Sequence, residues 1–162
     1  MVMRTAPEFI AWATPHRGRL RAEVAARDEV AARLAEIGPR LDLADARAES
    51  QRTGHSVVLA AEDDGLALAA RWFDPAAPTT VHGHGTWGIV AVVDGRSRYE
   101  RWRPTGRDTA ALDEVTDLGP GESLSWGGPP DDVHRQLGLG DGGLALVLLD
   151  RSLLLDPVPV YR

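Results

Sequence analysis

TTVHGHGTWGIVAVVDGR, residues 79–96, decides how the rest of the chain is read. His82 and His84 stand two residues apart at the mouth of a valine-rich run that closes at Asp94-Gly95. Histidine is a poor strand filler, and the chain has only 5. On an extended strand, residues two apart share a face, so both imidazoles can aim at one point. Gly83 between them removes outward bulk, and Gly85 lets the chain bend just after the pair.

Outward from this stretch, the texture from about residue 54 is a series of short apolar runs: HSVVLAAE, LALAARWF, WGIVAVVD, SRYERWR, ESLSW and LALVLLD. Asp-Asp-Gly, Asp-Pro-Ala-Ala-Pro, Asp-Gly-Arg, Gly-Pro-Gly and Gly-Asp-Gly-Gly separate them. Short strands with such punctuation indicate an all-β sandwich or barrel. No βαβ alternation and no internal repeat is visible. Upstream, residues 19 to 50 read as helical, with Leu20, Val24, Ala31, Leu34 and Ile37 at helix-like spacing. Gly38-Pro39 ends that helix and LDLADARAES predicts a second, short one. The expected organisation is a helical segment, 1–53, packing on a β-barrel, 54–162, in one compact domain.

Composition narrows the function. The formal charge of −6 leaves no basic stripe for phosphates, which argues against nucleic acid as a partner. All 18 basic residues are arginine, as in a GC-rich bacterial gene. With 0 cysteines, disulfides, thiolate metal sites and cysteine nucleophiles are excluded, so oxygen or nitrogen must hold any metal. No apolar run approaches membrane-spanning length and the N-terminus lacks a signal-peptide core, so a cytoplasmic protein is expected.

A third histidine, His134, follows the Pro-rich turn GPPDDVH fifty residues after the pair, far enough for strands to go out and return. On spacing alone a His-x-His is as readily a surface turn as a metal site. Its surroundings, however, resemble the two motifs of the cupin superfamily. His82-Gly83-His84 with Gly95 is similar to the first motif. Gly121 followed by Pro129-x-Asp131-x-x-His134, with two extra residues between, is similar to the second. The optional glutamate of the first motif is missing, its candidate places holding Gly88 and Ile89. The resemblance covers roughly residues 54 to 150.

What the resemblance implies is a mainly β cupin double-stranded β-helix, a jelly-roll barrel with a short N-terminal helical segment. His82, His84 and His134 would bind a metal inside it. The three-His pattern looks like the thiol dioxygenase branch, whose members include cysteine and 3-mercaptopropionate dioxygenases. Fe(II) is the metal that branch implies, with a small thiol and dioxygen as partners; imidazole also suits zinc and nickel, so a zinc- or nickel-dependent isomerase or hydrolase stands as the alternative. A non-catalytic small-molecule-binding cupin is a third reading. The family's arginine for the substrate carboxylate falls by local pattern on His55, with Arg52 nearby, and Arg71 is a further candidate. Trp87 is a candidate pocket wall. The family's Ser-His-Tyr set is missing, since its strand reads GGLALVLLDRS and Tyr99 and Tyr161 are expected elsewhere. Arg98, Arg101, Arg103 and Arg107 read as a solvated face paired with Glu100 and Asp108. The family's barrels imply a monomer or a homodimer.

Overall fold

The structure, a computed structural model, describes residues 2–150 and 159–162. Thr5 starts helix α1 (Ala6–Ala13) with a capping box: its hydroxyl accepts from the Glu8 N–H, and the Glu8 carboxylate accepts from the Thr5 N–H. A short tight turn leads to α2 (Arg17–Ala22). The periodicity predicted one helix running from residue 19 past Ala22. Instead Glu23 is extended, with φ −119° and ψ 118°, and a new helix, α3 (Val24–Ile37), begins after it. That break resets the phase: Val24, expected on the apolar face, is 61% exposed, while Val30 is buried. Gly38-Pro39 ends α3 as expected. The second short helix is α4 (Ala44–Thr53), stopped by Gly54 in the left-handed region at φ 72°.

The strands are β1 (Val57–Ala61), β2 (Leu66–Phe73), β3 (Val81–His82), β4 (Gly88–Pro104), β5 (Ala110–Leu118), β6 (Ser123–Trp126), β7 (His134–Asp150) and β8 (Val160–Tyr161). Two expected turns are kinks inside long strands. Asp94-Gly95 bends β4, where its register with β7 shifts between Val92 and Asp94 and again between Gly95 and Arg96. Gly95 has φ 68°, and a Cβ on it would lie 2.1 Å from the Gly142 carbonyl oxygen. Glycine is therefore required where the two strands cross.

At these kinks each long strand passes from one face of the barrel to the other. Antiparallel pairing runs β1, β2, the second half of β7, the first half of β4, then β6. The opposite face runs β8, β3, the first half of β7, the second half of β4, then β5. Two antiparallel layers sharing bent strands make the mainly β, jelly-roll barrel that the sequence predicted.

Burial explains the sequence texture. Ile89, Ala91, Leu144, Leu146 and Leu148 pack outward against the helices, joining Phe9, Leu20, Leu34 and Ile37. Their neighbours Val90, Val92, Ala145, Val147 and Leu149 point into the barrel with Phe73, Tyr99 and Trp126. This layer is covered on both sides, which is why WGIVAVVD and LALVLLD are continuously apolar rather than alternating. The opposite layer faces water and carries cross-strand pairs: Arg98 to Asp117 at 2.7 Å, and Arg101 and Arg103 to Asp113 at 2.8 Å. The arginines Arg98, Arg101 and Arg103 thus pair across to β5, and not with Glu100 and Asp108, because β5 aligns beside β4. Glu100 is taken by Arg135 at 2.8 Å. At the helix end, Arg17 and Arg21 converge on the fully buried Asp150, at 2.8 and 3.0 Å, tying α2 to the end of β7.

Candidate metal centre

The structure brings His82, His84 and His134 together, with one ring nitrogen from each within 4.8 Å of the other two. Backbone pairing does most of this: His82 on β3 is the register partner of His134 at the start of β7. His84 lies beyond the two-residue strand β3, so the shared face expected from strand alternation is reached through a turn. Gly85, at φ 72°, makes that turn. Strand β8 braces the other edge of β3, with the Gly83 N–H donating to the Pro159 carbonyl at 3.0 Å.

The hydrogen bonds fix the tautomers. His82 Nδ1 lies 2.7 Å from the Thr80 carbonyl and His134 Nδ1 lies 3.1 Å from the Asp132 carbonyl. A carbonyl only accepts, so each Nδ1 carries the proton and each Nε2 presents a lone pair. The Nε2 atoms of His82 and His84 are 3.2 Å apart. Two nitrogens bound at about 2.0–2.1 Å to one ion in tetrahedral or octahedral geometry stand roughly 3.0–3.4 Å apart. The His82–His84 spacing fits two ligands of one divalent metal, and His134 brings a third neutral imidazole within 4.8 Å of them.

Burial keeps these rings neutral. Desolvation holds the His84 imidazole at about 4, with the His82 and Arg71 charges adding to the effect. His82 is lowered chiefly by burial, and fully enclosed His134 is lowered well below the ordinary histidine value by burial and by its two neighbours. Protons then compete little for the lone pairs at neutral pH. As pH falls below the unfolded value of about 6.5, the unfolded chain takes up protons before the folded one, so stability drops as pH falls towards about 4. At about 1.4 kcal/mol per unit, His84 alone accounts for a loss on the order of 3 kcal/mol. Urea unfolding of metal-stripped protein should show at least this loss between pH 6.5 and pH 4, and His84→Gln should make the profile shallower by the His84 share while His82 and His134 keep theirs; a flat wild-type profile would refute the buried, neutral triad.

Asp132, only 3% exposed, serves two of the rings. Its carboxylate accepts from the Gly85 N–H at 2.6 Å, pinning the turn that carries His84, while its carbonyl orients His134. Asp132→Ala is expected to weaken metal affinity about 10–100-fold, the usual scale for groups that orient a ligand. Titration with a competing chelator measures it, and unchanged affinity would show that the turn holds itself.

A cavity of about 110 Å³ opens over the imidazoles. Arg71, Phe73, Gln136 and Trp126 are among its walls, with Val147 and Leu149. Among the described residues no carboxylate lines it. Of the candidates for substrate binding, Arg71 is here: its Nη2 donates to the Gly54 carbonyl at 3.2 Å, and its Nε has no hydrogen-bond partner. Arg52 is exposed and forks onto Glu49 at 2.7 Å, and His55 is exposed; neither lines this cavity. Trp87 is 1% exposed and packs in the cluster facing the helices, because strand alternation turns it away from the barrel.

The aromatic wall is one that the sequence did not single out. The Trp126 ring lies 4.7 Å from that of His134 and 5.8 Å from that of His84, and Tyr99 lies 5.1 Å from His134. Tyr99, expected elsewhere, points inward from β4; burial raises its phenol, whose oxygen has no hydrogen-bond partner. The opposing Gly88 was a readable signal for Trp126: a Cβ there would sit 2.0 Å from the indole.

Neither protein-family models nor curated proteins give a match to the chain. Among solved structures it is similar to a protein with a double-stranded β-helix domain from Klebsiella pneumoniae, at 15% identity and TM-score 0.49, covering 68% of this chain and 87% of that one. A cupin-2 domain protein from Shewanella frigidimarina shares 15% identity at TM-score 0.46, over 60% of this chain and 80% of that one. The DMSP lyase DddQ from Ruegeria pomeroyi is similar at 20% identity and TM-score 0.49, over 66% of this chain; the match spans 50% of the lyase chain. Among the described residues, no helix of this barrel is long and apolar enough to cross a membrane.

Proposed function

We propose that this chain is a metal-dependent cupin enzyme of the three-His type, a non-haem Fe(II) dioxygenase acting on a small anionic thiol in the cytoplasm. The observation that carries it is the donor set itself: three neutral imidazoles facing a cavity that holds an arginine and, among its described walls, no carboxylate. When bound, Fe(II) supplies a Lewis-acidic centre able to relay electrons between a thiolate and dioxygen.

The chain's own residues do the rest. His82, His84 and His134 hold the ion and leave its remaining positions to small ligands. Arg71 brings a cation to within electrostatic reach of all three rings, and so favours a substrate with a carboxylate or similar anion. Phe73, Val147 and Leu149 exclude water from the substrate's carbon skeleton. Size limits the substrate: a dry cavity of roughly 150 Å³ takes up benzene, so 110 Å³ suits a molecule of about half a dozen heavy atoms. Without a carboxylate to act as general base, the walls favour this reading over a zinc or nickel hydrolase.

Elemental analysis of protein purified without added metal, followed by oxygen uptake with cysteine, 3-mercaptopropionate and cysteamine, tests it. Iron together with thiol-dependent uptake that favours the two carboxylated thiols is the expected result. Zinc or nickel as the activating metal, or oxygen uptake with none of the thiols on Fe(II)-loaded protein, would overturn the dioxygenase assignment.

A further inference from the structure

A second cavity, of about 290 Å³, is lined by Tyr99 and Trp126 but by none of the three imidazoles. Helix α3 closes it with Arg27, β4 and β5 supply Arg101 and Glu114, and the loop before β7 supplies Asp131. Arg101 is held by Asp113 at 2.8 Å and by Glu114 at 3.0 Å. Arg27 has no such partner. It is 6% exposed; its Nη1 donates to the Leu20 carbonyl at 3.0 Å, and its Nε has no hydrogen-bond partner. Among the described residues no carboxylate lies within ion-pair distance of it. Enclosing a guanidinium with one carbonyl contact is costly unless an anion completes it.

The anion's place is bare backbone. At Gly127 the point where a Cβ would sit is 3.7 Å from Arg27 Nη2 and 3.9 Å from Asp131 Oδ2. A cation and a carboxylate thus flank one uncovered patch without pairing with each other, and the Trp126 ring forms an apolar wall alongside. We propose that this cavity binds a small zwitterion, a free amino acid or a close analogue, with its carboxylate on Arg27 and its ammonium on Asp131. Net charge supports that class: the charged walls of the cavity, Arg27, Arg101, Glu114 and Asp131, sum to zero, and of them only Arg27 and Asp131 lie in no ion pair among the described residues. The site shares only the Trp126 wall with the cavity over the imidazoles, and it stands whether or not the dioxygenase reading does.

The test is an NMR titration of the metal-loaded protein with glycine, β-alanine, acetate and methylammonium, following the Arg27 Nε–H and Trp126 Nε1–H signals. Saturable shifts of both signals with an amino acid, and weaker ones with acetate or methylammonium, are expected. Asp131→Asn, an exposed change that leaves packing intact, should weaken amino-acid binding at least about tenfold and acetate binding little, given the usual strength of a charge-assisted hydrogen bond. Gly127→Val should block all binding while metal content stays unchanged, and Arg27→Gln should abolish the acetate response. Absence of saturable shifts with every probe, or amino-acid binding of wild-type strength in Asp131→Asn and Gly127→Val, would overturn the proposal; binding lost instead in Arg71→Met would place the ligand in the other cavity.

Discussion

His134→Ala should leave the purified protein with metal affinity lower by about two orders of magnitude. Metal sites in small domains bind with roughly 10–16 kcal/mol shared among about four ligands, so one imidazole is worth on the order of 3 kcal/mol, or about a hundredfold. His134 is the ligand whose loss should be felt most. It is 2% exposed, its Nδ1 is held by the Asp132 carbonyl, and its ring lies 4.6 and 4.9 Å from those of His82 and His84. No other described side chain stands ready to replace it: Glu100 is held by Arg135 and the Trp102 indole. Elemental analysis after gel filtration, with circular dichroism as the check on folding, measures the effect. Full metal content in a folded His134→Ala protein would remove this histidine from the site, and with it the reason for the three-His reading. His134→Gln keeps more of the ring's volume and separates loss of a ligand from loss of packing.

The barrel was legible because its helix-covered layer must be apolar on both sides. Runs such as LALVLLD then stand out, and turn residues between them give the spacing. What escaped was strand β5, whose AALDEVTDL is largely exposed and acidic, since it lies at an edge and pairs only with β4. Strand length escaped too. Asp94-Gly95 and the glycines at 140, 142 and 143 carry turn chemistry, yet they permit a bend and a close crossing within β4 and β7. At the site, the ligand spacing of His82, His84 and His134 was readable because few residue types bind metals. The partners that shape the cavity were not. Trp126 ends a short strand with no motif around it. Arg71 could be named only as one of several cations, because sequence does not say which face of β2 it occupies.

Arg71→Met should raise KM for a carboxylated thiol about a hundredfold or more and leave a thiol without a carboxylate nearly unaffected. The argument is electrostatic. Three neutral rings leave a divalent ion with its full charge, and Arg71 adds another cation among walls with no described carboxylate. Burial already lowers the Arg71 guanidinium, and its contacts are the Gly54 carbonyl and the Phe73 ring, 5.4 Å from its centre. Such a site lacks negative charge, and a substrate carrying both a thiolate and a carboxylate supplies it. Each hydrogen bond from the guanidinium to a carboxylate is worth about 1.5–3 kcal/mol. Two of them removed together give the stated loss. Methionine keeps the apolar stem against Phe73, so packing is largely preserved. Steady-state oxygen uptake with 3-mercaptopropionate and with 2-mercaptoethanol separates the outcomes. If both substrates suffer equally, Arg71 supports the fold of the site and not the substrate; if neither does, the anion is gripped elsewhere and the charge argument fails.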